Sequence, residues 1–212
     1  MIQNIFPRIY NNSYKLAEPQ SNDFAMIFSG KKILVKNDDG VIALPRFADL
    51  PIISENTAIR KQFLFKISDE AFFQIDNCDL SFVDDNKWQW KDQTVFRGMV
   101  SDYTAFGGIT AFQLHRWYTN NKYCGVCGSQ MIAGDNERSL ICSKCGKIIY
   151  PRINPAVIIA VTDGNRLLMT QYAKGDYKRY ALVAGYVEVG ETFEETVIRE
   201  VHEEVGLNVK NV

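Results

Sequence analysis

The stretch GYVEVGETFEETVIREVHEEVGL, residues 185–207, decides how this chain is read. Thr192 followed by Glu195 forms a capping box, with Thr192 as the N-cap of a helix. Phe193, Val197, Val201 and Val205 recur every four residues and predict one buried stripe. Gly206 followed by Leu207 reads as a glycine stop with its apolar clamp, so the helix spans residues 193–205. Its far end is acidic. Glu200, Glu203 and Glu204 stand at i, i+3 and i+4 and share one face. They lie in the last turn, where the helix dipole disfavours each negative charge by roughly 0.3–1 kcal/mol. His202 is at most partly charged and the next lysine is Lys210, so nothing nearby offsets them. A hard divalent cation, Mg²⁺ or Mn²⁺, takes carboxylate oxygens and would neutralise this face. The alternative is a solvated acidic surface. The preceding loop weighs toward the cation. Gly185 and Gly190 bracket a turn that leads from the strand RYALVAG, and Glu191 is spaced to pair with Arg199 and tie loop to helix. A strand, a loop and a helix with a carboxylate face make a pocket for metal and phosphate.

Upstream lies a second metal signal. Cys124-x2-Cys127 and Cys142-x2-Cys145 are separated by fourteen residues, and Gly128 and Gly146 follow the two pairs. Two such knuckles complete a tetrahedral all-thiolate zinc site with Zn–S bonds of about 2.3 Å. The alternative is a pair of redox motifs or unrelated thiols. Four thiolates close the coordination shell, so this zinc is structural and pins a segment too short for a core of its own. Cys78, in DNCDL, reads as a plain structural cysteine, and the cysteine usage suits a reducing, cytoplasmic setting.

The 212 residues are 46% hydrophobic with a formal net charge of −1, so no global field argues for nucleic acid or acidic lipid. No run of about 18 apolar residues exists, so no membrane span is expected, and MIQNIFPRIYNNSYK lacks the apolar core of a secretory signal. DFAMIFSG and KKILVK flank a Ser29-Gly30 turn, and Asp39-Gly40 marks another before VIALPRF. QFLFKI and AFFQI form a further strand pair around Ser68-Asp69. A helix over residues 104–120 follows from Phe106, Ile109, Phe112 and Trp117, although Gly107 and Gly108 weaken it. His115 there reads as a surface or core-edge histidine rather than a ligand, because no acidic or cysteine neighbour accompanies it. NPAVIIAVT and RLLMTQY flank Asp163-Gly164-Asn165 as a hairpin, with RYALVAG as a third strand. The fold class is α+β: a β-rich N-terminal domain (1–120), a four-cysteine zinc ribbon (121–149), and an α/β region (150–212).

The pattern Gly185-x5-Glu191-x7-Arg199-Glu200-Val201-x-Glu203-Glu204-x-Gly206-Leu207 resembles the Nudix box at every fixed position. With the ribbon, YPRINPAVI and HRWYTNNKYCGVCG, the layout is similar to the NAD(H) diphosphatase subfamily of Nudix hydrolases, whose bacterial members also remove NAD caps from RNA. The resemblance is strong from about residue 96 onward. It implies an α/β/α Nudix sandwich over 150–212, incomplete here, and cleavage of the pyrophosphate of NADH or NAD to nicotinamide mononucleotide and AMP. Glu200, Glu204 and the Ala184 carbonyl would be metal ligands, with Glu203 a further ligand or an aid to the attacking water. Glu191 and Arg199 would be the loop–helix pair. Tyr186 would stack on the nicotinamide end, with Tyr150 a second aromatic that a partner subunit of a homodimer could supply. Glu137 and Arg97 would contact substrate. The family domain continues past the box with more strands and a second long helix, so this chain is expected to be truncated and weakly active or inactive, with an open sheet edge that drives pairing. Two other readings stay open: hydrolysis of another nucleoside diphosphate derivative, and a non-catalytic zinc-ribbon module.

Overall fold

The computed structural model describes residues 3–14, 17–38, 40–76, 78, 87–98, 102–174 and 178–212. The chain forms two compact units, Met1–Pro151 and Arg152–Val212. In the first, β1 (Tyr10–Asn11), β2 (Phe24–Ser29), β3 (Lys32–Asp38), β4 (Val41–Ala43), the short helix α1 (Pro51–Glu55), β5 (Arg60–Ile67), β6 (Glu70–Asp76) and β7 (Trp88–Asp92) precede the long helix α2 (Asp102–Asn120). The sheet order is β1-β5-β6-β2-β3-β4, with β7 also paired to β3. The hairpins read from sequence are present, the Ser29-Gly30 turn with Gly30 at φ 59° and the Ser68-Asp69 turn with Ser68 at φ 53°. Asp39 lies outside the described residues. Features beyond the sequence expectation include β1, α1, β7, and a parallel pairing of β2 with β6 that sets Phe24 against Phe72.

The β5 and β6 sequences read as nearly continuous apolar runs because both faces of the sheet are covered. Phe24, Phe65, Phe72 and Phe112 build the core under α2, whereas Phe47, Ile53, Phe73 and Trp88 build one on the opposite face. Phe72 stacks on Phe24 at 4.5 Å and on Phe65 at 4.8 Å between ring centroids. Full burial of each such ring contributes roughly 1.5–3 kcal/mol. The two glycines of α2 are packing positions. A Cβ at Gly107 would stand 2.4 Å from the Phe72 ring, and one at Gly108 would stand 2.2 Å from Phe96. The helix gives up propensity there so that its backbone can lie against aromatic rings. Cys78 packs at the edge of the second cluster, and His115 stacks on Phe28 at 4.6 Å.

The ribbon belongs to the same unit. Its strands β8 (Met131–Ala133), β9 (Leu140–Cys142) and β10 (Ile148–Ile149) form an antiparallel sheet in the order β10-β9-β8. Trp117 of α2 packs in one cluster with Cys124, Met131, Leu140 and Cys142. Arg138 donates to the carbonyls of Leu64 and Asn12, and the Tyr14 hydroxyl donates to the Gly134 carbonyl at 3.0 Å.

In the second unit, β11 (Ala156–Ile159) pairs antiparallel with β14 (Val183–Tyr186), while β12 (Thr162–Asp163) and β13 (Arg166–Leu167) close a two-stranded hairpin around Gly164. The hairpin is therefore shorter than expected from sequence. NPAVIIAVT splits at Ala160, and its apolar half pairs with the strand expected to stand third, where register places Ile159 and Val183 together in the core. Helix α3 (Phe193–Val205) has the limits read from sequence. Thr192 Oγ accepts from the Glu195 N–H, Glu195 accepts from the Thr192 N–H, and Gly206 closes the helix at φ 70°. The buried stripe differs in one place. Val201 is fully buried with Val197 and Val205 beside it, but Phe193 is 59% exposed and Thr196 is fully buried instead. Among the described residues, no helix is long and apolar enough to cross a membrane.

Candidate active site and metal centre

The four ribbon cysteines converge. Their sulfurs all lie within 4.8 Å of one another, with Cys124–Cys145 at 3.7 Å and Cys127–Cys142 at 3.4 Å. A tetrahedral site with the usual Zn–S bond needs sulfurs about 3.8 Å apart, so this donor set fits zinc. The glycine after each pair sits at φ 72°, where it turns its N–H back to the carbonyl of the first cysteine. Only glycine reaches that conformation at no steric cost. Backbone N–H groups point at the sulfurs, from Val126 to Cys124 and from Lys144 and Cys145 to Cys142, each at 3.4 Å. These bonds favour the thiolate and lower the pKa of Cys124 and Cys142, and N–H and hydroxyl donation from Ser129 does so for Cys127. All five cysteines are free of disulfides.

On the ribbon, the Tyr150 hydroxyl donates to Glu137 Oε1 at 2.8 Å. The carboxylate holds the phenolic proton and raises the Tyr150 pKa. The ribbon thus joins these two sequence candidates. Arg97 lies exposed in the 3-10 segment Gln93–Gly98 ahead of α2, and no described contact joins it to that pair.

In the second unit the carboxylates gather around Arg199. Its Nε donates to Glu191 Oε1 at 2.6 Å and its Nη2 to Glu191 Oε2 at 2.9 Å, a two-pronged pair. Nη1 reaches Glu200 at 2.8 Å and Glu203 at 3.1 Å, and Nη2 also reaches the Tyr186 carbonyl at 3.0 Å. Glu191 further accepts from the Glu188 N–H at 3.0 Å and the buried Thr196 hydroxyl at 2.9 Å. Its carboxyl is held down to about 2, chiefly by the Arg199 guanidinium and then by the Glu188 N–H. The Arg199 guanidinium is held charged by the same partners. The helix end that sequence leaves uncompensated is therefore partly compensated, because one cation four residues before Glu203 serves three carboxylates. Glu204 is exposed and has no ion pair among the described residues.

β14 supplies the other wall. Val183 is buried, Ala184 pairs with Ile158, Gly185 with Val157, and Tyr186 leaves the strand exposed. Gly185 presses so close to α3 that a Cβ there would stand 1.9 Å from the Glu200 Cδ. Strand and helix thus meet with only the Glu200 carboxylate between them. The sequence marked Gly185 as a loop bracket; its role against Glu200, and that of the Thr196 hydroxyl toward Glu191, carry no local signal. The donor set of Glu200, Glu203 and Glu204 is all carboxylate oxygen, the chemistry of a hard divalent cation. Among the described residues, the four cysteines are the one group of three or more Cys, His, Asp or Glu placed to hold a metal ion.

Residues 152–212 match the NUDIX domain, and residues 119–150 match the NADH pyrophosphatase zinc ribbon domain. The NAD-capped RNA hydrolase NudC of Pseudomonas aeruginosa is 42% identical over 125 residues, 59% of this chain and 44% of that protein. The protein of the same name from Stutzerimonas stutzeri is 33% identical over 190 residues, 88% of this chain and 65% of its own length. A crystal structure of a NUDIX hydrolase from Nitrosomonas europaea aligns with 39% of this chain and 50% of its own at 32% identity, with a TM-score of 0.35. The chain spans about half the length of the curated relatives it matches.

Proposed function

We propose, for a chain that carries a Nudix domain behind an NADH pyrophosphatase zinc ribbon, that it serves divalent-metal-dependent hydrolysis of the pyrophosphate bond of NAD(H). The products are nicotinamide mononucleotide and AMP, and NAD-capped RNA is a second substrate of the same bond type. The carrying observation is the contact of Gly185 with Glu200, which sets a carboxylate at the junction of strand and helix. Arg199 fixes the loop through Glu191 and orients Glu200 and Glu203 on the same side. Glu204 and the Ala184 carbonyl complete the proposed ligand set for Mg²⁺ or Mn²⁺. When bound, the cation supplies Lewis-acid stabilisation of the phosphate oxygens and activation of water. Glu203 would be a further ligand to that cation or would take a proton from the attacking water. Tyr186, exposed beside the loop, offers its ring to the nicotinamide end; Tyr150 and Glu137 on the ribbon, with Arg97, are offered as further substrate contacts. Homodimer formation and a reducing cytoplasmic setting belong to the same reading, supported by the exposed Ile158 and Phe193 and by four cysteines free of disulfides and gathered as a zinc ligand set.

A second reading is favoured by Arg199 itself: with Glu200 and Glu203 already paired, the chain acts as a non-catalytic ribbon-and-scaffold module. One experiment separates them. The chain is incubated with NADH and Mn²⁺, release of AMP is followed, and Glu200→Gln and Glu204→Gln serve as controls. Turnover that both substitutions abolish supports the hydrolase. No turnover, with no manganese uptake by a folded sample, overturns it.

A further inference from the structure

The first unit holds a cleft of about 680 Å³ between the sheet, the C-terminal half of α2 and the ribbon. Its floor is unusual for the covered face of a sheet. The face of β5 and β6 that is aromatic around Phe65 and Phe72 turns polar further along, where the cross-strand pairs are Gln62 with Gln74 and Arg60 with Asp76. Gln74 is 2% exposed. Its amide nitrogen donates to Asp76 at 2.6 Å, which fixes the amide orientation, and its Oε1 is left buried with no partner. A buried acceptor left unpaired in this way is unfavourable. A second buried atom on the same wall, His115 Nδ1, also lacks a partner. The same sheet face is apolar at Phe65 and Phe72, so the change to polar side chains is local to the cleft.

Among amide, hydroxyl and aliphatic groups, the rest of the lining carries ring surface and positive charge. Phe28, Phe112 and His115 offer ring surface, with Phe28 stacked on His115 at 4.6 Å. Lys31, Arg60, Arg116 and Lys122 bring positive charge against the single carboxylate of Asp76, and none of these cations forms an ion pair among the described residues. Burial lowers the His115 pKa and keeps its ring uncharged, though Asp76 opposes this. The volume is that of a small-molecule site.

We propose that this cleft binds a nucleoside monophosphate: the base supplies an N–H donor to Gln74 Oε1 and lies against the aromatic wall, and the phosphate meets Arg60, Arg116 and Lys122. All these residues belong to Met1–Pro151, so the proposal stands whatever the Nudix residues do.

The test uses the whole zinc-loaded chain, without added Mg²⁺ or Mn²⁺, and AMP as probe. Hydrogen exchange is expected to slow in residues 60–76 and 112–123 on adding AMP. Arg116→Ala, on an exposed helix face, is expected to weaken AMP binding by calorimetry about tenfold or more. Gln74→Leu removes the acceptor and is expected to abolish binding in a folded protein; should it fail to fold, Arg116→Ala decides alone. Protection confined to residues 183–205, an Arg116→Ala protein that binds as the parent does, or inorganic phosphate protecting the cleft as well as AMP does would overturn the assignment.

Discussion

Gly185 and Glu200 touch so closely that no side chain can stand between them: an added Cβ would lie 1.9 Å from Cδ and 2.0 Å from Oε1 of the carboxylate. Gly185→Ala must therefore displace Glu200 or part β14 from α3. A misplacement of about 1 Å at a reacting centre costs on the order of a hundredfold in rate. We expect a loss of that size in Mn²⁺-dependent NADH cleavage with circular dichroism unchanged. Unaltered kinetics would show that Glu200 need not stay where the glycine lets it sit.

Arg199→Lys keeps the charge and loses the planar fork. A single ammonium cannot serve both oxygens of Glu191 and still reach Glu200 and Glu203. The thermal midpoint of the second unit should fall, and Glu191→Gln should lower it as well. Additive losses in the double variant would mean that the two residues act separately, contrary to the bidentate contact.

The acid side of the stability curve should carry the mark of Glu191. Its folded pKa, about 2, lies below the ordinary value of 4.5. A depressed carboxyl contributes stability that is fully present above the unfolded pKa and is lost as pH falls through the folded one. The loop–helix tie should therefore be constant above about pH 5 and weaken between pH 4.5 and about 2. Glu191→Gln should flatten this part of a pH titration; an unchanged curve would assign the acid transition elsewhere.

Zinc removal should disturb more than the ribbon. Trp117 shares a cluster with Cys124 and Cys142, so chelation should shift its fluorescence as the ribbon opens. Cys142→Ser should release metal and produce the same shift. A tryptophan signal indifferent to zinc release would show that α2 holds its end without the ribbon.

Thr192→Ala should cost about 1 kcal/mol of helix stability through loss of the N-cap. Denaturant unfolding of the second unit reads this directly, and Thr192→Ser should restore most of it.

Much of the second unit was legible because its signals are local. The capping box, the glycine stop and the four-residue period lie within or beside one short helix, and α3 has those limits. The Glu191–Arg199 pair was legible for the same reason, since spacing alone brings the two within reach across the N-cap. The cysteine knuckles are likewise short-range. What could not be read depends on distant chain segments. The pairing of Ala156–Ile159 with Val183–Tyr186, and the parallel contact of β2 with β6, are settled by which apolar faces share a core. Gly107 and Gly108 looked like helix weaknesses because the rings of Phe72 and Phe96 that they accommodate come from elsewhere. Thr196 is buried with its one hydroxyl proton facing both the Glu191 carboxylate and the Thr192 carbonyl, a contact with no local sequence signal, whereas Phe193, expected in the stripe, is exposed.

The fork of Arg199 has a consequence for ion selection. Its Nη1 already pairs with one oxygen of Glu200 and one of Glu203, so a cation bound there as proposed would compete with a tethered rival. Affinity is then a difference between two attractions, and the rival's share is the same for every ion. A singly charged sodium or potassium ion gains about half as much from each carboxylate oxygen as a doubly charged ion at the same distance. On the proposed metal-binding reading, the arginine would set a threshold that a doubly charged ion passes more readily than a singly charged one.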